Sequence, residues 1–365
     1  MRIRASYAFK KLILILFCLA PLYASDGENN INFKDLSYPL EIKVKAAEPD
    51  SILYETPISE TSKKQYNLVV IQGESEYLDI NIGLKLISPD LKSETLINPE
   101  IFRIYRNGRF WARFKLQVPG TNSCKILFIN KNKNPDFKII VYEIQSSYEV
   151  YKQKADFQYT PNPNLSVPDT LNIIKRSYWQ ASDPKEPYTE HTPKAITIHH
   201  TSGKITKSLE ESIAEIQFIQ DYHQNAKGWI DIGYHFVVDS LGNIFEGRPI
   251  KVVGAHVYLK NTNNIGISLM GNYHPPKNDI PSEKAIKAIS SIAYYVSQTY
   301  SVEKSSFYAH RDLGATDCPG DILYSKMPQL KKEIFEKQDM EISITDYNYP
   351  KTKPELFLQE VFKKD

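Results

Sequence analysis

In this chain of 365 residues the densest group of chemically capable side chains is the loop Ala309-His310-Arg311-Asp312-Leu313-Gly314-Ala315-Thr316-Asp317-Cys318-Pro319-Gly320, where a histidine and a cysteine stand eight positions apart. Imidazole and thiolate are both zinc donors. A third donor is available far upstream, where the apolar run Ala195-Ile196-Thr197-Ile198 reads as a buried strand that ends in His199-His200. Two donors on one loop and one at a distant strand end make the spacing of a folded enzyme site, not of a local C-x-x-C knuckle.

Between these segments lie Asp231-Ile232-Gly233-Tyr234-His235-Phe236, Gly254-Ala255-His256, Asn261 and Asn264-Ile265-Gly266-Ile267, and Arg176 and Trp179-Gln180-Ala181 stand ahead of them. As an ordered set these residues make the segment from about 174 to 330 resemble the zinc amidase family. That family includes peptidoglycan recognition proteins, amidase-type phage lysozymes and bacterial N-acetylmuramoyl-L-alanine amidases. The resemblance implies a zinc held by His199, His310 and Cys318 with its fourth position open to water, the arrangement of a catalytic site. Water in such a position loses its proton near pH ~7 instead of near ~16, and the ion can also polarise an amide carbonyl. Tyr234 occupies the position of the family's catalytic tyrosine, whose hydroxyl orients the water or hydrogen-bonds the tetrahedral oxyanion. His256, Asn261 and Asn264 match positions that line the substrate groove in relatives. Arg248 is a candidate to pair with a peptide carboxylate. Thr316 stands where phage-type relatives have lysine and recognition-type relatives have threonine, so a hydroxyl replaces a cation. Pro249-Ile250 stands where relatives preferring diaminopimelate peptides show Gly-Trp, which leaves the stem-peptide type unreadable.

Successive strand residues point to opposite faces, so His199 and His200 cannot both reach one ion. His200 is therefore assigned to packing or to supporting the site, and His235, adjacent to Tyr234, to the core. His223 and His274 have no comparable context and read as surface residues. Strands are expected at Ala195 to His199, Tyr234 to Asp239, Ile244 to Glu246 and Ile265 to Met270. Helices are expected from a Ser208-Leu209-Glu210-Glu211 capping box to about Ala226, from Ser282 to Tyr300, and from Asp321 to Glu336. The fold class that follows is an α/β amidase domain, a mixed central sheet flanked by helices, preceded by an all-β sandwich-like domain.

That first domain is read from period-two alternation in Leu40 to Ala46 and Leu78 to Leu86, and from a hairpin at Asn107-Gly108 between Ile101 to Tyr105 and Arg109 to Val118. Ile126 to Asn130 and Phe137 to Ile144 extend it to about seven strands. Its exposed aromatics, Trp111 among them, are candidates to bind sugar rings beside the plainer role of a packing or spacing domain. Ahead of it, Arg2, Arg4, Lys10 and Lys11 precede the apolar run Leu12 to Ala20 and the small residues Ala24 and Ser25, the form of a secretory signal peptide. The expected organisation is a signal peptide at 1–25, the all-β domain at 26–150, a proline-containing linker at 151–172, the amidase domain at 173–338 and a polar tail at 339–365.

Lys+Arg of 45 against Asp+Glu of 43 leaves a net charge of +2, which gives no electrostatic footprint for nucleic acid. After signal removal only Cys124 and Cys318 remain, too few for a disulfide framework. Animal members of the family usually carry a disulfide in the domain, so the chain reads as a bacterial member, exported to the periplasm or medium. A monomer without a stable membrane anchor is expected, acting on peptidoglycan or muropeptides. The competing class is a peptidoglycan-binding module that keeps the groove without the chemistry; retention of all three ligands favours the enzyme.

Overall fold

The computed structural model describes residues 30–88, 93–150 and 156–336; the expected signal peptide and polar tail lie outside them. The N-terminal half is built from β1 (Leu40–Val44), β2 (Ile52–Glu55), β3 (Tyr66–Ser75), β4 (Ile80–Ile87), β5 (Glu94–Ile97), β6 (Ile101–Ile104), β7 (Arg109–Gly120), β8 (Ser123–Asn130) and β9 (Phe137–Ser147). These pair into a five-stranded sheet, β1-β9-β3-β7-β6, and a four-stranded sheet, β2-β8-β4-β5. One apolar cluster joins Val69, Ile71, Phe110 and Phe114 of the first to Ile82, Leu84, Ile126 and Phe128 of the second. Ile80, Ile82 and Leu84 of β4 all point into it, as the alternation requires. Gly108 takes φ +83° in the β6–β7 turn, where its amide donates to the Tyr105 carbonyl at 2.9 Å. Cys124 is fully buried, a small hydrophobe as expected. Strand β3 is an addition to the expected set. Its Val69-Val70-Ile71 run is apolar on both faces and so carries no period-two signal.

The second half comprises β10 (Ala195–His200), α1 (Leu209–Asp221), β11 (Phe236–Val238), β12 (Ile244–Glu246), β13 (Asn264–Leu269), α2 (Glu283–Tyr300), β14 (Phe307–Ala309), α3 (Asp321–Tyr324) and α4 (Met327–Phe335). The sheet order is β12-β11-β13-β10-β14. β10 runs parallel to β13 and β14, and β12 is antiparallel to β11, so the sheet is mixed as expected. Helices α2 and α4 cover one face over Ile196, Ile198, Phe236 and Val238. Helix α1 covers the other, with Ile213, Ile216 and Ile219 against Val237, Phe245 and Trp179. Ser208 caps α1 by accepting from the Glu211 amide at 3.2 Å, but the Glu211 carboxylate accepts from Lys207 rather than from Ser208. The expected helix over Asp321 to Glu336 is two helices. Pro328 has no amide hydrogen, and its ring would collide with the Tyr324 carbonyl four residues back, so the chain turns between Tyr324 and Met327. The stretch expected as a linker is partly docked: Val167 enters the core, Leu171 packs against it, and the Leu165 carbonyl accepts from Lys251.

The two halves meet across α1. Odd-numbered residues of β7 point away from the β core and engage the helix and the π-helical turn that follows it: Arg109 pairs with Glu215 at 3.0 Å, Trp111 donates to Asp221 at 2.5 Å, and Arg113 donates to the Ala226 carbonyl at 2.7 Å. Asp221 also accepts from Arg103 at 2.6 Å and from the Tyr105 hydroxyl. Leu68, Val70, Phe218 and Tyr222 close an apolar cluster around these contacts. Trp111 is consequently 0% exposed and is not a sugar platform, because the face read as solvent-facing is the face that α1 covers. Among the described residues no helix is long and apolar enough to cross a membrane.

Candidate metal centre

His199 lies at the end of β10, and His310 immediately follows the neighbouring parallel strand β14. The sheet therefore delivers two imidazoles to one edge, the usual place for a site on an α/β sheet. Cys318 comes back to them on the loop after His310, which is tied by the Arg311 amide donating to the Cys318 carbonyl at 2.9 Å. Asp312 accepts from the Ala309 amide at 2.8 Å and holds the single turn that carries His310. The ligand atoms of His199, His310 and Cys318 lie within 4.8 Å of one another, and all three residues are buried. His199 Nδ1 is 3.6 Å from Cys318 Sγ, and the two histidine ring centres are 4.6 Å apart. Two imidazoles and a thiol at this spacing fit a zinc ion.

A hydrogen-bond relay sets which nitrogen of His199 is free. His256 Nε2 lies 3.0 Å from the Asn264 carbonyl, which can only accept, so the proton is on Nε2. Burial holds His256 neutral, with its pKa lowered to about 3, so its Nδ1 is bare and accepts from His199 Nε2 at 3.0 Å. His199 Nδ1 then keeps its lone pair, aimed at Cys318 and the ion position. Such orientation of a ligating imidazole by a partner behind it is a general feature of metal sites.

The surroundings hold the ligands in set protonation states. Burial, and next His310, keep His199 well below the ordinary histidine pKa; burial takes His310 down to about 4. Both imidazoles are thus neutral donors. Burial pushes the Cys318 thiol up to about 12, opposed by the His200 amide that donates to Sγ at 3.4 Å. A cation at the site would supply the missing stabilisation of the thiolate. His200 points the other way, as strand alternation requires: Nδ1 accepts from the Tyr273 amide at 3.3 Å and Nε2 contacts the Ser202 hydroxyl at 2.8 Å.

These ligands line a cavity of about 500 Å³ together with Tyr234, His223 and Thr316. The Tyr234 ring centre is 5.4 Å from that of His199, and burial, then Cys318, raises its pKa above the usual tyrosine value, so the phenol keeps its proton. Thr316 accepts from the Cys318 amide at 3.2 Å, so its oxygen braces the ligand loop.

Several expected site residues are elsewhere. Arg248 is 4% exposed and spends its guanidinium on the carbonyls of Ile232, Val253 and Asp231, so it cannot pair with a peptide carboxylate. Asn261 accepts from the amides of His256 and Val257, shaping the turn behind the relay. Asn264 accepts from Thr197 and donates to Lys260, and both of its side-chain ends are used inside the protein. His256 does border the cavity, but both its nitrogens are committed to His199 and Asn264. His235 is a core residue as expected, bonded to Val252 and Gly266. His223, expected on the surface, is 6% exposed, packs against Trp229 with the rings tilted and their centres 4.5 Å apart, and accepts from the Gly233 amide. His274 is also drawn in, lining the cavity 3.5 Å from both Asp317 and Asp321. No periodic pattern marks either histidine: the partners of His274 lie on another segment, and His223 is covered where the chain turns back through Trp229 and Gly233.

A protein-family model described as N-acetylmuramoyl-L-alanine amidase matches residues 189–321, which contain all three clustered ligands and Tyr234. Peptidoglycan-recognition protein SC2 of Drosophila melanogaster is 35% identical over 159 residues, covering 43% of this chain and 85% of that protein. Peptidoglycan recognition protein 1 of Bos indicus is 31% identical over 166 residues, covering 44% and 85%. The solved structure of Drosophila peptidoglycan recognition protein LB aligns with 27% identity over 42% of this chain and 91% of that one, at a TM-score of 0.40. The chain belongs to the N-acetylmuramoyl-L-alanine amidase and peptidoglycan recognition protein family. The match begins at residue 189, so the nine-stranded half lies outside it.

Proposed function

We propose that the protein is an exported, zinc-dependent amidase that hydrolyses the bond between the lactyl group of N-acetylmuramic acid and L-alanine in peptidoglycan. The observation that carries this reading is the convergence of His199, His310 and Cys318 within 4.8 Å on the wall of a cavity that Tyr234 also lines. Zinc bound there would acidify a water molecule and polarise the scissile carbonyl. The remaining steps belong to the chain. His256 and Asn264 fix the His199 tautomer, and the His200 amide supports the Cys318 thiolate. Tyr234, kept protonated by burial, donates its hydroxyl to the oxygen that gains charge as the amide carbon becomes tetrahedral. Thr316 braces Cys318 and presents its hydroxyl to the same cavity.

The names of the two relatives support peptidoglycan or its muropeptide fragments as the substrate class. The signal-like first 25 residues support export, to the periplasm or medium of a bacterium. We also take the N-terminal half, 26–150, as a sandwich-like domain and 173–338 as the amidase domain.

The test is incubation of the full mature chain with peptidoglycan of defined stem type, with and without chelator, and identification of products by mass spectrometry. Intact stem peptides with a free L-alanine amine, formed only with zinc, are expected. Cleavage between sugars would overturn the reading. Tight binding to muramyl peptide without cleavage, even when zinc-loaded, would make the protein a binding module.

A further inference from the structure

The cavity that holds the metal ligands does not end with the α/β half. Its far wall is built from the N-terminal half: Asn30, Asn32, Ser37 and Tyr38 border the same space as His199 and Tyr234, with Gln145 beside them. Trp229 and Lys227 complete that end from the α/β side. We propose that this wall is a subsite for an uncharged, N-acetylated sugar ring of the glycan strand, next to the muramic acid whose amide is cleaved. The proposal rests on the amidase reading for the placement of the muramic acid and goes beyond it in giving the β half a share of the substrate.

Three observations carry it. The wall is fixed, because the halves are joined by Arg109–Glu215, a pair with both side chains 1% exposed, and by the three side chains that converge on Asp221. Buried charges of this kind hold a geometry, since parting them leaves an uncompensated charge. Next, among the described residues the wall has no unpaired charge to offer. Glu143 lies 3.4 Å from Lys227, Lys227 donates to Gln145 at 2.7 Å, and Arg109 is taken by Glu215. Carboxylate-bearing stem peptides are held by free cations, arginine above all, and the cations at this end, Lys227 and Arg109, are already engaged. Amide and hydroxyl groups from Asn30, Asn32 and Ser37 instead match the hydroxyls and acetamido group of a neutral sugar, while Gln145 accepts from Lys227 and donates to Asn30 and so braces that end. Finally, two aromatic residues border the subsite. Trp229 is half-buried, braced by a tilted ring contact with His223, and Tyr38 is held by its hydroxyl donating to the Ile31 carbonyl at 2.6 Å. Rigid aromatic groups with a polar edge suit the mixed apolar and polar faces of a pyranose.

Asn32 and Ser37 are exposed, so changing them spares the core. The experiment compares two ligands that differ only by one sugar: N-acetylmuramoyl-stem peptide, and the same compound carrying N-acetylglucosamine on the muramic acid. Affinities are measured by calorimetry on chelated full chain, and kcat/KM on the zinc-loaded chain. The parent should prefer the disaccharide ligand by about tenfold, the worth of one or two well-made hydrogen bonds. The double variant Asn32→Ala, Ser37→Ala, and separately Ser37→Trp, which fills the wall, should bring that ratio close to one. Equal affinity of the parent for both ligands, or a ratio unmoved in both variants, overturns the subsite. An effect that follows stem length instead of sugar number overturns it as well. The binding arm stands apart from turnover: a parent that prefers the disaccharide but never cleaves it sustains the subsite and sinks the amidase, and one that cleaves both ligands equally does the reverse.

Discussion

At the scale of single residues the centre depends on groups that differ in how they act. In the proposed reaction Tyr234 supplies a hydroxyl to charge that exists only in the transition state. Tyr234→Phe should lower kcat by about 10²-fold with KM little changed; steady-state kinetics on a muramyl peptide check this, and an unchanged kcat would leave Tyr234 a packing residue. His256 acts through His199. Without it the His199 Nε2 proton has no acceptor and the ring is free to change tautomer, so His256→Ala should weaken zinc about 10- to 100-fold. Competition with a chromophoric chelator reads that loss, and saturating zinc should restore most of the turnover; a loss of muramyl-peptide affinity at unaltered zinc affinity would return His256 to the substrate. His310 and Cys318 are legible in the sequence because two zinc donors share one loop, and Tyr234 only because it stands in an ordered set of motifs that resembles the family's. Arg248, Asn261 and Asn264 are not: a polar side chain looks the same in sequence whether its partner is a substrate or the protein's own backbone.

At the scale of elements, α1 is the part that makes the site composite. One stripe, Ile213, Ile216 and Ile219, packs on the sheet that carries His199, and the opposite side holds Glu215, Phe218 and Asp221 against β7. Asp221 is the acceptor for Arg103, Tyr105 and Trp111 together. Asp221→Ala strands a hydroxyl, an indole N–H and a guanidinium at the junction, and should cost about 3 kcal/mol of stability. Urea unfolding followed by tryptophan fluorescence measures it, and a change below a few tenths would mean the junction is held by apolar contact alone. The apolar stripe of α1 is plain from its spacing. Its second face is not, because the partners that bury Glu215 and half-bury Asp221 come from strands about a hundred positions earlier.

At the scale of the whole molecule, seven of the eight histidines have lowered pKa values, in each case first through burial. The sign follows directly. Below the ordinary value of 6.5 the unfolded chain takes up protons that the folded chain refuses, so stability is complete above pH 6.5 and is lost as pH falls from there. Each refused proton weighs up to about 1.4 kcal/mol per pH unit. Thermal unfolding should therefore move several degrees lower between pH 7.5 and pH 5.5, and a flat profile would contradict the burial of His223 and His235. What the sequence by itself determined is what short-range periodicity and residue chemistry can encode: the His199, His310 and Cys318 set that converges, the opposed directions of His199 and His200, the Ser208 cap of α1 and the alternation within β4. What only the tertiary structure decided is which polar groups were left for substrate and which face of the β half met solvent. Hydrogen-bond partners and covering elements far away in the chain settle those questions, and no local pattern records them. Trp111 shows both, since its alternation with Phe110 is visible in sequence while the helix that buries it lies beyond residue 208.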